Sequence, residues 1–201
     1  MVRADFLPES HPVLYLASQS PRRRQLLEQI GVRFDTVEVD VPEVRAPGEP
    51  PEDYVSRVAR EKAGAGLLKL SGVVGAVVLG ADTEVVLGDE VFGKPADNAH
   101  AADMLRRLSG RMHRAVSAVW CLDGGREDHM LRTTEVTFAV LSEAQIAAYV
   151  ASGESAGRAG AYAIQGRAAA FVAQLSGSYS GVMGLPLFET AVLLRKFGIS
   201  C

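Results

Sequence analysis

Residues 13–31, VLYLASQSPRRRQLLEQIG, force a strand, a short serine-rich loop and a helix start in quick succession. The apolar run 13–17 is too short for a helix and reads as a buried strand. Ser20 is placed to cap the helix, Pro21 to be its first residue, and Gly31 to stop it after Ile30. Arg22, Arg23 and Arg24 then fall on the first turn, where backbone N–H groups are unbonded and the helix dipole is positive. Each exposed cation there opposes the dipole by roughly a few tenths of a kcal/mol. Two arrangements accommodate this. A phosphate chain can sit on the free N–H groups while Arg22 and Arg23 grip its oxygens bidentately. Alternatively, the arginines form a solvated basic face that tolerates a small penalty.

The second informative stretch is AVVLGADTEVVLGDEVFGKP, residues 76–95. It predicts a buried strand running into a hairpin turned at Gly88-Asp89. Asp82 emerges where the apolar run ends, and a carboxylate there calls for a metal, a proton to take, or a turn to cap. Glu84 shares its face of the strand and could help hold a cation, but a solvated position is the favoured reading. On the helix expected after Pro51, Lys62 continues the inward stripe of Tyr54 and Val58. A lysine so placed snorkels to the surface, the commoner outcome, or reaches into a cleft. Lys94 reads as a turn residue after the hairpin.

Elsewhere, residues 40–51 are proline-rich and form a surface loop. Residues 98–110 predict a helix, and HRAVSAVWCL and LRTTEVTFAVL predict strands joined by the turn DGGREDHM. Ser142 and Gln145 make a capping-box pattern, and residues 187–198 a final helix with Arg195 and Lys196 near its end. GSYSGVMGLP, residues 177–186, reads as a glycine- and serine-rich loop. Strands and helices alternate without a strict βαβ rhythm, so a mixed α/β fold is expected.

Composition narrows the function classes. The chain has 201 residues, enough for one full core or two lobes sharing a cleft. Net charge is −3, which with no interleaved aromatic platform argues against nucleic acid and anionic membrane as partners. No apolar run approaches the ~20 residues of a membrane span, and residues 1–12 read as a short tail and not a signal peptide. Cys121 and Cys201 make neither a disulfide framework nor a metal motif, which points to a reducing cytoplasm. The four histidines show no ligand spacing, and Trp120 reads as core.

Taken together and in this order, LYLASQSPRRRQLLEQIGVRF, VPEV, YVSRVAREKA, GADTEVVLGDEVFGKP, MLRRLSGRMH, TTEVTF, YVASGE, AGAYAIQG and GSYSGVMGLPL resemble the Maf family of nucleoside triphosphate pyrophosphatases. The Ser-x-Ser-Pro-Arg-Arg start followed by Gly-Ala-Asp-Thr is the specific part. The resemblance implies a mixed α/β sheet with two lobes around a central cleft, related to the inosine triphosphatases (the HAM1 type), in one catalytic domain over residues 13–201. It implies hydrolysis between the α- and β-phosphates with a divalent cation (Mg, Mn or Co), and a homodimer. Carried over by position, Asp82 matches the proton acceptor, and Glu43 and Asp82 the metal side. Ser18, Ser20, Arg22, Arg23, Lys62, Lys94 and Arg158 match the polar residues around the substrate. Arg22, Thr83 and Gln165 match positions linked to base choice, and GAYAIQG to the type favouring dTTP and UTP. One departure stands out: members of this type carry Asp-Lys-Ala-Gly where this chain has Gly157 and Arg158 in GRAG. A guanidinium keeps the cation in a different geometry, and the carboxylate is gone. The alternative function is a nucleotide-binding regulator of cell division in which hydrolysis is incidental; the presence of Asp82 favours the enzyme.

Overall fold

A computed structural model describes residues 12–201; the expected tail therefore lies outside the described residues apart from Pro12. The sheet runs in the order β2-β1-β3-β5-β6-β7. These strands are β1 (Val13–Leu16), β2 (Asp35–Thr36), β3 (Ala76–Leu87), β5 (Met112–Leu122), β6 (Glu127–Phe138) and β7 (Val172–Ser176), and β4 (Glu90–Phe92) pairs with β3 alone. β1 lies parallel to β2 and β3, while β3, β5, β6 and β7 are antiparallel neighbours. The mixed α/β expectation holds. No helix among the described residues is long and apolar enough to cross a membrane.

Strand alternation distributes the core. Val78 and Val86 of β3, with Val116, Ala118 and Leu122 from the partner strand β5, turn to one face. There the helix α2 (Pro51–Lys69) packs with Tyr54, Val55, Val58, Ala59 and Ala63. Close packing depends on Gly80, where a Cβ would overlap the Ala59 carbonyl oxygen and stand 2.6 Å from the Ala63 amide nitrogen. The opposite face carries two separate cores. Val77, Leu79 and Ala81 join Leu26 and Leu27 of α1 (Pro21–Gln29) and Leu193 and Leu194 of α6 (Leu187–Lys196). Val85 joins Leu105 and Leu108 of α3 (Asn98–Leu108), Ile146 and Tyr149 of α4 (Glu143–Ala151), and Phe138. Two lobes result, with residues 80–84 of β3 between them.

β3 is the spine of this arrangement and changes partner along its outer edge. Leu79 is the last residue paired with β1, and Val85 the first paired with β4. Between them the outer edge has no strand beside it, and the cleft opens there. The local signals are mostly met: Pro51 opens α2, Gly88-Asp89 is the hairpin turn, and Ser142 and Gln145 form a complete capping box. Four expectations need correcting. Ser20 occupies the cap position of α1, yet its side chain makes no capping hydrogen bond. Asp82 stands in the middle of β3 and not at a strand end, because the apolar pattern resumes at Val85. The DGGREDHM turn shrinks to residues 123–126, since Glu127 already pairs with Leu122. The loop 177–186 contains a short helix, α5 (Tyr179–Met183), capped by Ser178.

Candidate active site

A cavity of about 540 Å³ occupies the cleft. Ser18, Ser20, Arg22 and Arg23 line it from the β1–α1 turn, and Glu43 from the proline-rich loop. Lys62 reaches it from α2, Asp82, Thr83 and Glu84 from β3, Lys94 from beyond β4, and Arg158 from the opposite lobe. All but one of the site residues expected from sequence thus face the same space. Gln165 is the exception: it is exposed and does not line the cavity. Its segment is nevertheless fixed, because the Tyr149 hydroxyl accepts from the Ala163 N–H at 3.0 Å and Tyr162 meets His113 Nε2 at 2.9 Å.

Carboxylates and lysines form one chain of contacts. Lys62 Nζ donates to Asp82 Oδ1 at 2.8 Å and to Glu43 Oε1 at 2.6 Å, and Lys94 Nζ donates to Glu43 Oε2 at 2.8 Å. Lys62 is therefore buried in the cleft, not snorkelling. Partial burial alone would raise the Glu43 carboxyl, but the two lysines overcome it and hold Glu43 at about 2. Asp82, only 4% exposed, keeps Oδ2 buried without a partner. Glu84, favoured above as a solvated residue, is 7% exposed and also leaves Oε2 unpartnered. Burial, with Asp82 and Glu43 nearby, pushes its carboxyl up to about 8. The period-2 relation to Asp82 was visible in sequence; its burial was not.

The cations are arranged differently. Arg23 is anchored, its Nε donating to the Gly184 carbonyl at 2.8 Å and its Nη1 to Ser18 Oγ at 3.3 Å. Burial lowers it from the ordinary arginine value, and Asp82, Glu43 and Glu84 partly offset this. Arg22 Nε and Arg158 Nε are buried with no partner at all. Burial, then repulsion from Arg158 and Arg23, lowers Arg22 to about 10. Half-buried cations of one sign that each keep a buried N–H unpartnered are costly together, and an anion relieves them. Gly157 sits beside them at φ +66°, with open space where a side chain would go.

Sequence reasoning also missed Ser117 of β5, buried behind Thr83, and the Gly181 and Gly184 carbonyls of the 177–186 segment. Only the cross-strand register, which pairs Thr83 with Ser117, reveals the first. No cluster of three or more histidine, cysteine, aspartate or glutamate side chains among the described residues makes a metal cage. Asp82, with one free oxygen, and Glu43 still suit a cation that takes one or two carboxylates and completes its shell from phosphate and water, as Mg²⁺ does.

The sequence is similar to those of known pyrophosphatases. A dTTP/UTP pyrophosphatase from Xanthomonas campestris pv. campestris is 58% identical over 188 residues, covering 92% of this chain and 99% of that protein. A nucleoside triphosphate pyrophosphatase from Xylella fastidiosa is 55% identical over 186 residues, covering 92% and 98%. Among solved structures, a nucleoside-triphosphatase / dITP/XTP pyrophosphatase from Mycobacterium abscessus aligns at TM-score 0.41 and 19% identity over 63% of this chain and 74% of that one, too distant a likeness to add to the fold. The Maf-like protein family matches residues 13–197, the span that builds both lobes and the cleft, and the chain belongs to that family.

Proposed function

We propose that residues 13–201 act as one catalytic domain that hydrolyses dTTP and UTP to the nucleoside monophosphate and pyrophosphate. The observation that carries this reading is the pair of buried, unpartnered guanidinium nitrogens of Arg22 and Arg158, in the same cavity as the free carboxylate oxygen of Asp82. A polyanion satisfies the first and a water molecule the second. The Xanthomonas relative, named a dTTP/UTP pyrophosphatase, supports the choice of substrate.

In this reading Ser18, Ser20, Arg22, Arg23, Lys62, Lys94 and Arg158 bind the triphosphate. Their fixed charges meet the negative charge that builds on the departing pyrophosphate. Water attacks the α-phosphorus, a new P–O bond forms as the bond to the bridging oxygen breaks, and Asp82 Oδ2 receives the proton. Lys62 holds the other oxygen of Asp82 and so fixes the carboxylate's orientation. Glu43, and Asp82 through Oδ2 before that oxygen takes the proton, would hold a divalent cation (Mg, Mn or Co), which when bound neutralises phosphate charge and makes water easier to ionise. Arg22, Thr83 and Gln165 are assigned to base choice, the amide of Gln165 offering both a donor and an acceptor to a uracil or thymine edge. The reading extends to a cytoplasmic homodimer, which sedimentation velocity tests.

The decisive experiment is a nucleotide panel under one metal condition with product identification. UTP and dTTP should exceed CTP and the purine triphosphates in kcat/KM, with pyrophosphate as the product. Asp82→Asn should lower kcat by at least about 100-fold with folding intact. Orthophosphate released together with UDP would overturn the assigned bond.

A further inference from the structure

Thr83 and Ser117 face each other across β3 and β5 on the side of the sheet where the two lobes part. Their hydroxyl oxygens are 2.8 Å apart, and Ser117 Oγ also donates to the Gly181 carbonyl at 2.8 Å. A carbonyl oxygen only accepts, and a serine hydroxyl has one proton. That proton therefore lies on the Gly181 side. The contact with Thr83 is a hydrogen bond only if Thr83 Oγ1 is its donor. Once Thr83 has given its own proton to Ser117, its hydroxyl has lone pairs and nothing else to offer the cavity it lines.

We propose that Ser117 is a specificity-setting positioning residue: with Gly181 it locks the Thr83 hydroxyl as an acceptor toward the cleft, so that the site selects a base presenting a ring N–H. The proposal rests on the nucleotide reading above. An acceptor hydroxyl is repelled by phosphate oxygens, so within the cavity Thr83 suits the nucleoside end of the substrate and not the phosphate chain. Uracil and thymine carry a proton on N3 and complete a hydrogen bond to Thr83. Cytosine has a lone pair on N3, and the two acceptors would meet head on. Ser117 is fully buried and touches no part of the cavity, so it acts only through Thr83 and the helix α5.

The test uses two pairs of substrates that differ at the base edge alone, UTP with CTP and dTTP with 5-methyl-dCTP. Ser117→Ala frees the Thr83 proton, so Thr83 can donate to cytosine N3. The ratio of kcat/KM should fall roughly 3- to 10-fold, the worth of one neutral hydrogen bond. The change should come through a lower KM for the cytosine nucleotide, with kcat for UTP within about twofold of wild type. Thr83→Val provides the second arm. It should narrow the same ratio from the other side, by raising KM for UTP and dTTP, and it keeps the proposal testable if Ser117→Ala folds poorly. Binding of α,β-methylene UTP and CTP by calorimetry repeats the comparison without turnover, so an absence of hydrolysis would sink the proposed activity and not this inference. An unchanged UTP to CTP ratio in both variants overturns it. So does an equal loss for all nucleotides, which marks a merely structural serine, or a change confined to the UTP to dUTP ratio, which would place Thr83 at the sugar.

Discussion

Replacing Arg22 with methionine should move stability and affinity in opposite directions. In the free protein, Arg22 opposes the dipole of α1, lies close enough to Arg23 and Arg158 to be repelled by both, and leaves Nε buried without a partner. Its lowering from 12.5 to about 10, at about 1.36 kcal/mol per unit, would set a ceiling near 3 kcal/mol on the unfavourable energy. Arg22 is half-buried, so solvent screening reduces that ceiling to about 1 kcal/mol. Methionine keeps the hydrophobic stem and removes the charge. For a domain of this size 1 kcal/mol corresponds to about 2–4 °C, so Tm of the free variant should rise by that amount. Against this, one lost guanidinium–phosphate contact is worth about 1.5–3 kcal/mol, or roughly 10- to 150-fold in Kd. Differential scanning calorimetry of both proteins without nucleotide gives the first number, and titration with α,β-methylene UTP gives the second. A lower Tm would show that Arg22 is favourably solvated, and an unchanged Kd would show that no anion meets it. Either result refutes the account of the unpaired cluster.

Lys62→Met leaves Asp82 with no partner on either oxygen and Glu43 with Lys94 alone; it should lower Tm by roughly 6–12 °C, from about 3 kcal/mol for breaking a buried pair. Because Glu43 is held down at about 2, the stabilisation it draws from Lys62 is present above about pH 4.5 and fades toward pH 2; thermal melts that show an equal deficit at pH 7 and pH 3 would contradict the pairing. Gly80→Ala drives a methyl into the backbone of α2 and should destabilise by about 3 kcal/mol or more, measured by urea unfolding, with kcat falling because Lys62 moves away from Asp82. Burial lowers His113 to about 4, so below its ordinary value of 6.5 only the unfolded chain takes up the proton. Wild type should therefore lose up to about 3 kcal/mol between pH 6.5 and pH 4, and His113→Leu should show a flatter slope across that window in chemical denaturation.

What the sequence disclosed, and what it hid, follows from the range of the forces involved. The β1–α1 turn is written locally in Ser20, Pro21 and Gly31, so its place and its arginines were legible. The stripe of Tyr54, Val58 and Lys62 was legible as a helix face, but whether Lys62 snorkels or enters a cleft depends on how closely α2 approaches β3. That approach is set by the absent side chain of Gly80. Glu84 posed the same problem from the other side. Its parity with Asp82 was visible, but its burial, which no local signal around Glu84 announces, depends on β3 continuing past it to Leu87. The role of Ser117 is a product of the β3–β5 register, and its contact with Gly181, some 64 residues away along the chain, of where α5 sits against β5. Gln165 was singled out by its motif, and its exposure in the free protein is a matter of how residues 159–166 turn, which no periodicity encodes.

The β3–β5 ladder has one more consequence, for how the molecule can move. Enzymes that close on a substrate usually swing their halves about a few loop residues that absorb the change in backbone angles. Here the two lobes share strands. β3 pairs with β5 in unbroken register from Val78 to Val86, and β5 pairs with β6 from Met112 to Leu122, both runs crossing from one core to the other. Any rocking of the lobes must be taken up as added twist in a hydrogen-bonded sheet, which is stiff, and not at a flexible joint. Any rearrangement on binding is thereby directed to side chains and to the segments that hang off the spine, such as the turn carrying Arg158, whose Nε has no partner. Asp82, Thr83 and Glu84 stay with the strand and act as the fixed jig against which the other groups assemble.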